Sequence, residues 1–229
     1  MALTLPSATR IRIIASAIQS FAARGYASAS IREITARAGS NSSLVTYHFG
    51  GKAGLYRETM RFILERRGAS LVELVRRLPT GPGAPRPDVI RGLQEYIRKT
   101  MELLLPAGPV SPLEDASMVL LARELEMPTA EFAPVLEEFI RPIAAYMDQA
   151  LASLRPDLEE PARFAMSLSI QGQMMYLRNA LGVLRLVRGD PGYPRDLGAL
   201  IRHFTGFSLR GLGLPEAGRP CGPAYLPVP

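Results

Sequence analysis

Residues Ser30 to Lys52, SIREITARAGSNSSLVTYHFGGK, leave few folds open. Ser30 and Glu33 form a Ser-x-x-Glu capping box, which marks a helix start. Ile31, Ile34 and Ala38 then recur on one helical face. Gly39 follows at once, where a left-handed stop is needed and a β-carbon is costly. Asn41 and Ser42 are good caps for the next helix. In that helix Val45 and Phe49 face inward, leaving Ser42, Ser43, Thr46, Tyr47 and His48 to face out. The pattern is a helix, a glycine turn, a short second helix, and a lysine at the mouth of a third. That is a helix-turn-helix, and its second helix fits the major groove of DNA with its N-terminal part nearest the base edges. On spacing alone, an ordinary αα-hairpin with a polar surface is the alternative.

The charge distribution favours the DNA reading. The net charge of +6 is unevenly spread along the 229 residues. Residues 1–78 carry 12 Lys/Arg against 4 Asp/Glu, a net of +8, and residues 79–229 carry 15 against 17, a net of −2. The basic excess therefore lies with the helix-turn-helix, as expected of a DNA-facing module attached to a neutral-to-acidic partner domain. A membrane-surface role fits less well, because the basic residues are scattered and form no long basic amphipathic helix. No apolar run approaches bilayer length, and the start, MALTLPSATR, lacks a signal-peptide apolar region. Cys221 is the only cysteine, so no internal disulfide forms and a reducing, cytoplasmic setting is expected.

The periodicity predicts an all-α chain. Thr9 to Arg24 carries Ile11, Ile14, Ala15, Ile18, Phe21 and Ala22 on one stripe, and Gly25 ends it. A long helix begins near Lys52 and stops at Pro79-Thr80-Gly81-Pro82-Gly83. Further helices are predicted over 87–105, 113–126, 130–154, 158–187 and 194–210. Pro134 suits the first turn of the helix over 130–154, and Pro142 is expected to kink it. Residues 213–229 hold five prolines and three glycines, and an irregular tail is expected there. The expected layout is an N-terminal three-helix DNA-binding domain over 1–52 and a helical ligand-binding and dimerisation domain over 53–212.

Gly25-Tyr26, Ser30, Ala38-Gly39, Tyr47-His48-Phe49, Lys52 and Leu55-Tyr56 together resemble the TetR family of bacterial transcriptional regulators. Ser40-Asn41, Leu44-Val45 and Thr46 depart from the usual pattern, which leaves the operator sequence open. Arg123-Glu124, Pro128-Thr129, Phe139-Ile140-Arg141-Pro142 and Gly172-Gln173 with Tyr176 and Arg178 resemble the CecR-type subfamily. The resemblance implies phosphate contacts from Ser30 and Lys52, phosphate or base contacts from Tyr47 and His48, and base-edge positions for Ser42, Ser43 and Leu44. Asn41, Thr46 and Arg32 complete the DNA-binding candidates, although Arg32 reads equally as a solvated surface arginine. Helix N-termini and lysine suit phosphates, and short hydroxyls suit base edges, with Leu44 able to meet a thymine methyl.

The implied function is a ligand-responsive repressor, a homodimer on double-stranded operator DNA that a small-molecule effector releases. The soft side chains Met101, Met118, Phe139, Tyr146, Met147 and Met174 either line an adaptable apolar pocket or form plain core. Gln173, Arg123 and Arg178 are polar candidates for the same pocket, and the two arginines read alternatively as partners of internal acids. The apolar helices over 158–187 and 194–210 are the expected dimer surface. No zinc spacing, nucleophile motif or phosphate-binding glycine loop is present, so neither a metal, a cofactor nor an enzymatic activity is expected. A helical small-molecule-binding protein or enzyme that borrows the helix-turn-helix shape, and a non-specific DNA-coating protein, are the alternatives.

Overall fold

The computed structural model describes residues 7–81, 83–105 and 111–214. Among these there are nine helices and no strand. They are α1 (Ser7–Ser28), α2 (Ile31–Arg37), α3 (Ser42–Phe49), α4 (Lys52–Arg77), α5 (Arg86–Leu104), α6 (Pro112–Glu126), α7 (Ala133–Leu154), α8 (Glu160–Arg188) and α9 (Leu197–Gly211). The tail expected over 213–229 lies outside the described residues from 215 onward.

Local chemistry explains most of the boundaries. Gly25 interrupts α1 with φ 77° and ψ 166°, a conformation that side chains with a β-carbon rarely adopt. The helical run predicted to end at Gly25 does break there, and a further short turn to Ser28 follows. At the start of α6, Ser111 accepts from the Glu114 amide at 3.3 Å, and the Glu114 carboxylate accepts from the Ser111 amide at 2.9 Å. This is a complete capping box, followed by Pro112 in the first turn. α8 ends at Gly189, which is left-handed. α9 starts three residues later than its periodicity predicts, because Asp196 Oδ1 caps it by accepting from Ala199 N at 2.8 Å. α7 continues as one helix through Pro142.

The chain forms two compact units that do not follow its linear order. The first contains the chain up to Val72, together with α6 and α7 as far as Pro142. Its core takes Ile13, Ile18 and Phe21 from α1, Ile34 from α2, Val45 and Phe49 from α3, and Leu55, Tyr56, Met60 and Ile63 from α4. Leu120 of α6, Phe132 just before α7 and Val135 of α7 complete it. Each large side chain so buried contributes about 1.5–3 kcal/mol of hydrophobic stabilisation. α1 packs on both α2 and α6, and α2 packs on α3.

The second unit runs from Glu73 through α5 and resumes at Ile143. There α5 packs against α8 and α9. Val89, Leu93, Tyr96, Ile97 and Met101 of α5 are buried, as are Tyr146, Met147 and Leu151 of α7, Ile170, Met174 and Leu177 of α8, and Leu200 and Leu209 of α9. No helix among the described residues is long and apolar enough to cross a membrane.

Candidate nucleic-acid interface

The break at Gly25 places Tyr26 among other rings. The Tyr26 ring lies tilted against Tyr56 at 4.7 Å and against Phe21 at 6.2 Å, and Phe21 meets Tyr56 edge-on at 4.8 Å. This cluster ties the end of α1 to α4. α2 is then fixed on α1 by Ser16, whose hydroxyl donates to the Ile34 carbonyl at 2.8 Å.

Ser30 occupies the N-cap of α2 and its carbonyl accepts from Ile34 N at 3.0 Å, but its side chain makes no capping bond. The Ser30–Glu33 capping box predicted from the sequence does not form. Glu33 pairs instead with Arg24 on α1, at 2.7 Å. A nearby guanidinium attracts the carboxylate more strongly than a neutral amide does.

The turn into α3 follows the sequence closely. Gly39 is left-handed at φ 59°. Asn41 caps α3 by accepting from Ser43 N at 3.0 Å. Val45 and Phe49 are buried, while Ser43, Thr46 and Tyr47 are exposed. Ser42, Leu44 and His48 are half-buried, and the Tyr47 and His48 rings meet edge-on at 4.7 Å. Gly54 lets α4 pass very close to the end of α3: a β-carbon there would lie 1.5 Å from the Phe49 carbonyl oxygen.

Lys52 opens α4. Its ammonium donates to the Ala27 carbonyl at 2.8 Å and lies 5.1 Å from the centre of the Tyr26 ring. It is therefore held in place at the edge of the same surface rather than free on a flexible stem. Arg32 is exposed on α2 and faces a cleft of about 660 Å³. Asn41, Ser42 and Leu44 also line that cleft, together with Thr9 and Arg12 of α1. The sequence reading omitted Thr9 and Arg12. Their only signal was a polar position beside the apolar stripe of α1, which does not reveal that α1 reaches α3.

The candidate effector residues are divided between the units. Met101, Tyr146, Met147 and Met174 are buried in the second, where Gln173 and Arg178 are half-buried. Gln173 Nε2 donates to the Ser169 carbonyl at 2.9 Å. Met118, Arg123 and Phe139 belong to the first unit. Arg123 pairs with no acid among the described residues: its guanidinium donates to the Phe21 and Ala22 carbonyls, each at 3.2 Å, and so caps the end of the regular part of α1.

Comparison with known proteins agrees with this geometry. The family described as bacterial regulatory proteins, tetR family, matches residues 13–59. The family described as the C-terminal domain of the HTH-type transcriptional dual regulator CecR matches residues 93–212. The CecR protein of Shigella flexneri is 28% identical over 145 residues, which is 62% of this chain and 62% of that relative. The match thus spans less than two thirds of the relative's length. The solved structure of FadR from Bacillus subtilis in complex with stearoyl-CoA has the same fold, with a TM-score of 0.58 at 17% identity over 88% of this chain and 98% of that one. So does NalD, the secondary repressor of the MexAB-OprM multidrug efflux pump in Pseudomonas aeruginosa, with a TM-score of 0.57 at 20% identity over 89% and 95%. With a TetR-type helix-turn-helix leading into a CecR-type C-terminal domain, the chain belongs to the TetR family of bacterial transcriptional regulators.

Proposed function

We propose that the protein is a homodimeric, ligand-responsive transcriptional repressor that leaves its operator when a small molecule binds. The observation that carries the reading is the presentation of α3. Val45 and Phe49 anchor it, Asn41 caps it, Ser43, Thr46 and Tyr47 stand in solvent, and Arg12 and Arg32 line the cleft at its start. Such a helix suits the major groove, with Lys52 and Ser30 at phosphates and Ser42, Ser43 and Leu44 near base edges.

Dimerisation would set two such helices about 34 Å apart, one turn of the duplex, on a near-palindromic operator. α8 supports this by exposing Phe164, Leu168, Tyr176, Val183, Leu186 and Val187, with Phe207 exposed on α9. A second copy of the chain is the partner that covers such a face in a two-fold dimer.

The second unit supports an effector site. The Tyr146 hydroxyl is buried without a hydrogen-bond partner among the described residues, and burial, then the neighbouring Tyr96, pushes its phenol well above the usual value. It remains a neutral donor in a core that also holds Met101, Met147 and Met174. An effector with an apolar body and an acceptor group suits that chemistry, as does the stearoyl-CoA bound by the FadR relative of the same fold. An effector that favours a wrong spacing of the two α3 helices releases DNA, and by linkage DNA weakens effector binding by the same factor.

The test is a footprint of the purified protein on genomic fragments at low salt, with and without candidate ligands. A protected near-palindrome that ligand frees is the expected result. Failure to bind any fragment overturns the reading.

A further inference from the structure

The cleft beside α3 has walls from three helices: Thr9 and Arg12 on α1, Arg32 on α2, and the start of α3 at Ser42, with Ser40 between α2 and α3. None of its lining residues is acidic. Its two arginines also lack acidic partners among the described residues. Arg12 donates only to the Thr9 hydroxyl, at 3.4 Å, and the Arg32 guanidinium has no hydrogen bond or ion pair.

This sets them apart from four other arginines of the same unit. Arg10 pairs with Glu58, Arg24 with Glu33, Arg61 with Glu58 and Glu138, and Arg37 donates to the Gln19 side chain. Those four arginines are neutralised or occupied, whereas the two that line the cleft have no acidic partner among the described residues. Ser40 also lines the cleft, and its hydroxyl is shielded from water with no hydrogen-bond partner among the described residues. Two guanidiniums facing one hollow repel each other unless an anion lies between them, and a phosphate offers the acceptor oxygens that such forks hold.

The position of the cleft indicates which phosphate. One wall is the start of α3, the helix read above as entering the major groove. The DNA strand bordering that groove on the N-terminal side of α3 runs past this point. We infer that the cleft seats a backbone phosphate of operator DNA between Arg12 of α1 and Arg32 of α2, making α1 part of the DNA grip. This rests on the DNA-binding reading, and it adds Arg12, a residue that the helix-turn-helix motif does not contain.

The test measures affinity against salt for the full-length protein on two short duplexes, one selected by the wild type from a random pool and one unrelated. Arg12→Gln and Arg32→Gln should each weaken both duplexes by the same factor, roughly 3- to 10-fold, and lower the slope of log K against log salt by about 0.9. Arg12→Lys should keep the slope. Both arginines are exposed, so folding is not at risk. An unchanged slope in Arg12→Gln overturns the inference. So does a loss confined to the selected duplex, which would make Arg12 a base reader. Titration of the DNA-free protein with inorganic phosphate at fixed ionic strength provides the other arm. Phosphate binding that Arg12→Gln abolishes while the DNA slope stays unchanged would make the cleft a free-anion site and also overturn the inference. A wild-type protein that binds neither duplex would overturn the DNA-binding reading itself, whereas wild-type binding with unaltered variant slopes overturns this inference alone.

Discussion

The Tyr56 hydroxyl on α4 donates to the Glu124 carboxylate on α6, and both side chains are almost wholly shut off from water, at 1% and 2% exposure. The second carboxylate oxygen of Glu124 accepts from the Thr129 amide at 2.9 Å and the Thr129 hydroxyl at 3.0 Å. Burial, with Glu124 as acceptor, pushes the Tyr56 phenol far above its usual value, so it stays a donor. The helix that follows the DNA-reading motif is thereby tied to α6 by a fully satisfied polar knot.

Removing one end of this knot strands the other. Glu124→Ala leaves the buried Tyr56 hydroxyl and two half-buried Thr129 donors unpaired and should lower unfolding stability by about 2–4 kcal/mol, read from urea denaturation. Tyr56→Phe, which removes a single donor, should cost about 1–2 kcal/mol. The double variant should cost clearly less than the sum. Strict additivity would mean that the two side chains do not interact in solution.

Gly54→Ala should be the most damaging single-atom change in the DNA-binding half. The added carbon meets the Phe49 carbonyl oxygen at 1.5 Å, so α3 or α4 must shift. A loss of about 3 kcal/mol is expected, visible as a lowered urea midpoint. A wild-type midpoint would show that the end of α3 yields without cost.

Tyr47→Ala should separate binding from folding. The ring is 61% exposed, so stability should change by less than about 0.5 kcal/mol. Affinity for a duplex selected by the wild type should fall about tenfold or more, equivalent to about 1.4 kcal/mol. Equal affinities in fluorescence anisotropy would remove Tyr47 from the interface.

Lys52→Gln should weaken DNA binding evenly across sequences and reduce the salt slope by about 0.9, since its ammonium is already fixed by Ala27 and Tyr26. A sequence-dependent loss would place Lys52 at a base instead of a phosphate.

Leu186→Glu targets α8 at a side chain that is 81% exposed. A lone chain should tolerate it with unchanged helix content by circular dichroism. A dimer sealed over that face should dissociate, because burying the new carboxylate is costly. Light scattering that still reports the wild-type mass would assign dimerisation to another surface.

The sequence made the recognition motif legible almost residue by residue, because capping, glycine stops and inward spacing are local properties. Asn41, Gly39, Val45 and Phe49 sit where their chemistry predicts. The capping box at Ser30 failed for a non-local reason: Arg24, on another helix, claims Glu33. Arg123 was legible as an unusual arginine but not as the cap of α1, since its acceptors lie about a hundred residues earlier in the chain. Gly54 carried no local signal and Arg12 only a polar position beside the stripe of α1, because their roles arise where helices meet.

The first compact unit draws on two distant stretches of chain, the run up to Val72 and the helices α6 and α7 as far as Pro142. Leu120, Phe132 and Val135 close its core, and Glu124 and Arg123 hold it by hydrogen bonds. A chimera built to give this regulator a relative's operator preference cannot be spliced at a single junction after the helix-turn-helix. The graft must bring its own α6 and the first half of α7, or change only the surface of α3 and leave the buried partners native.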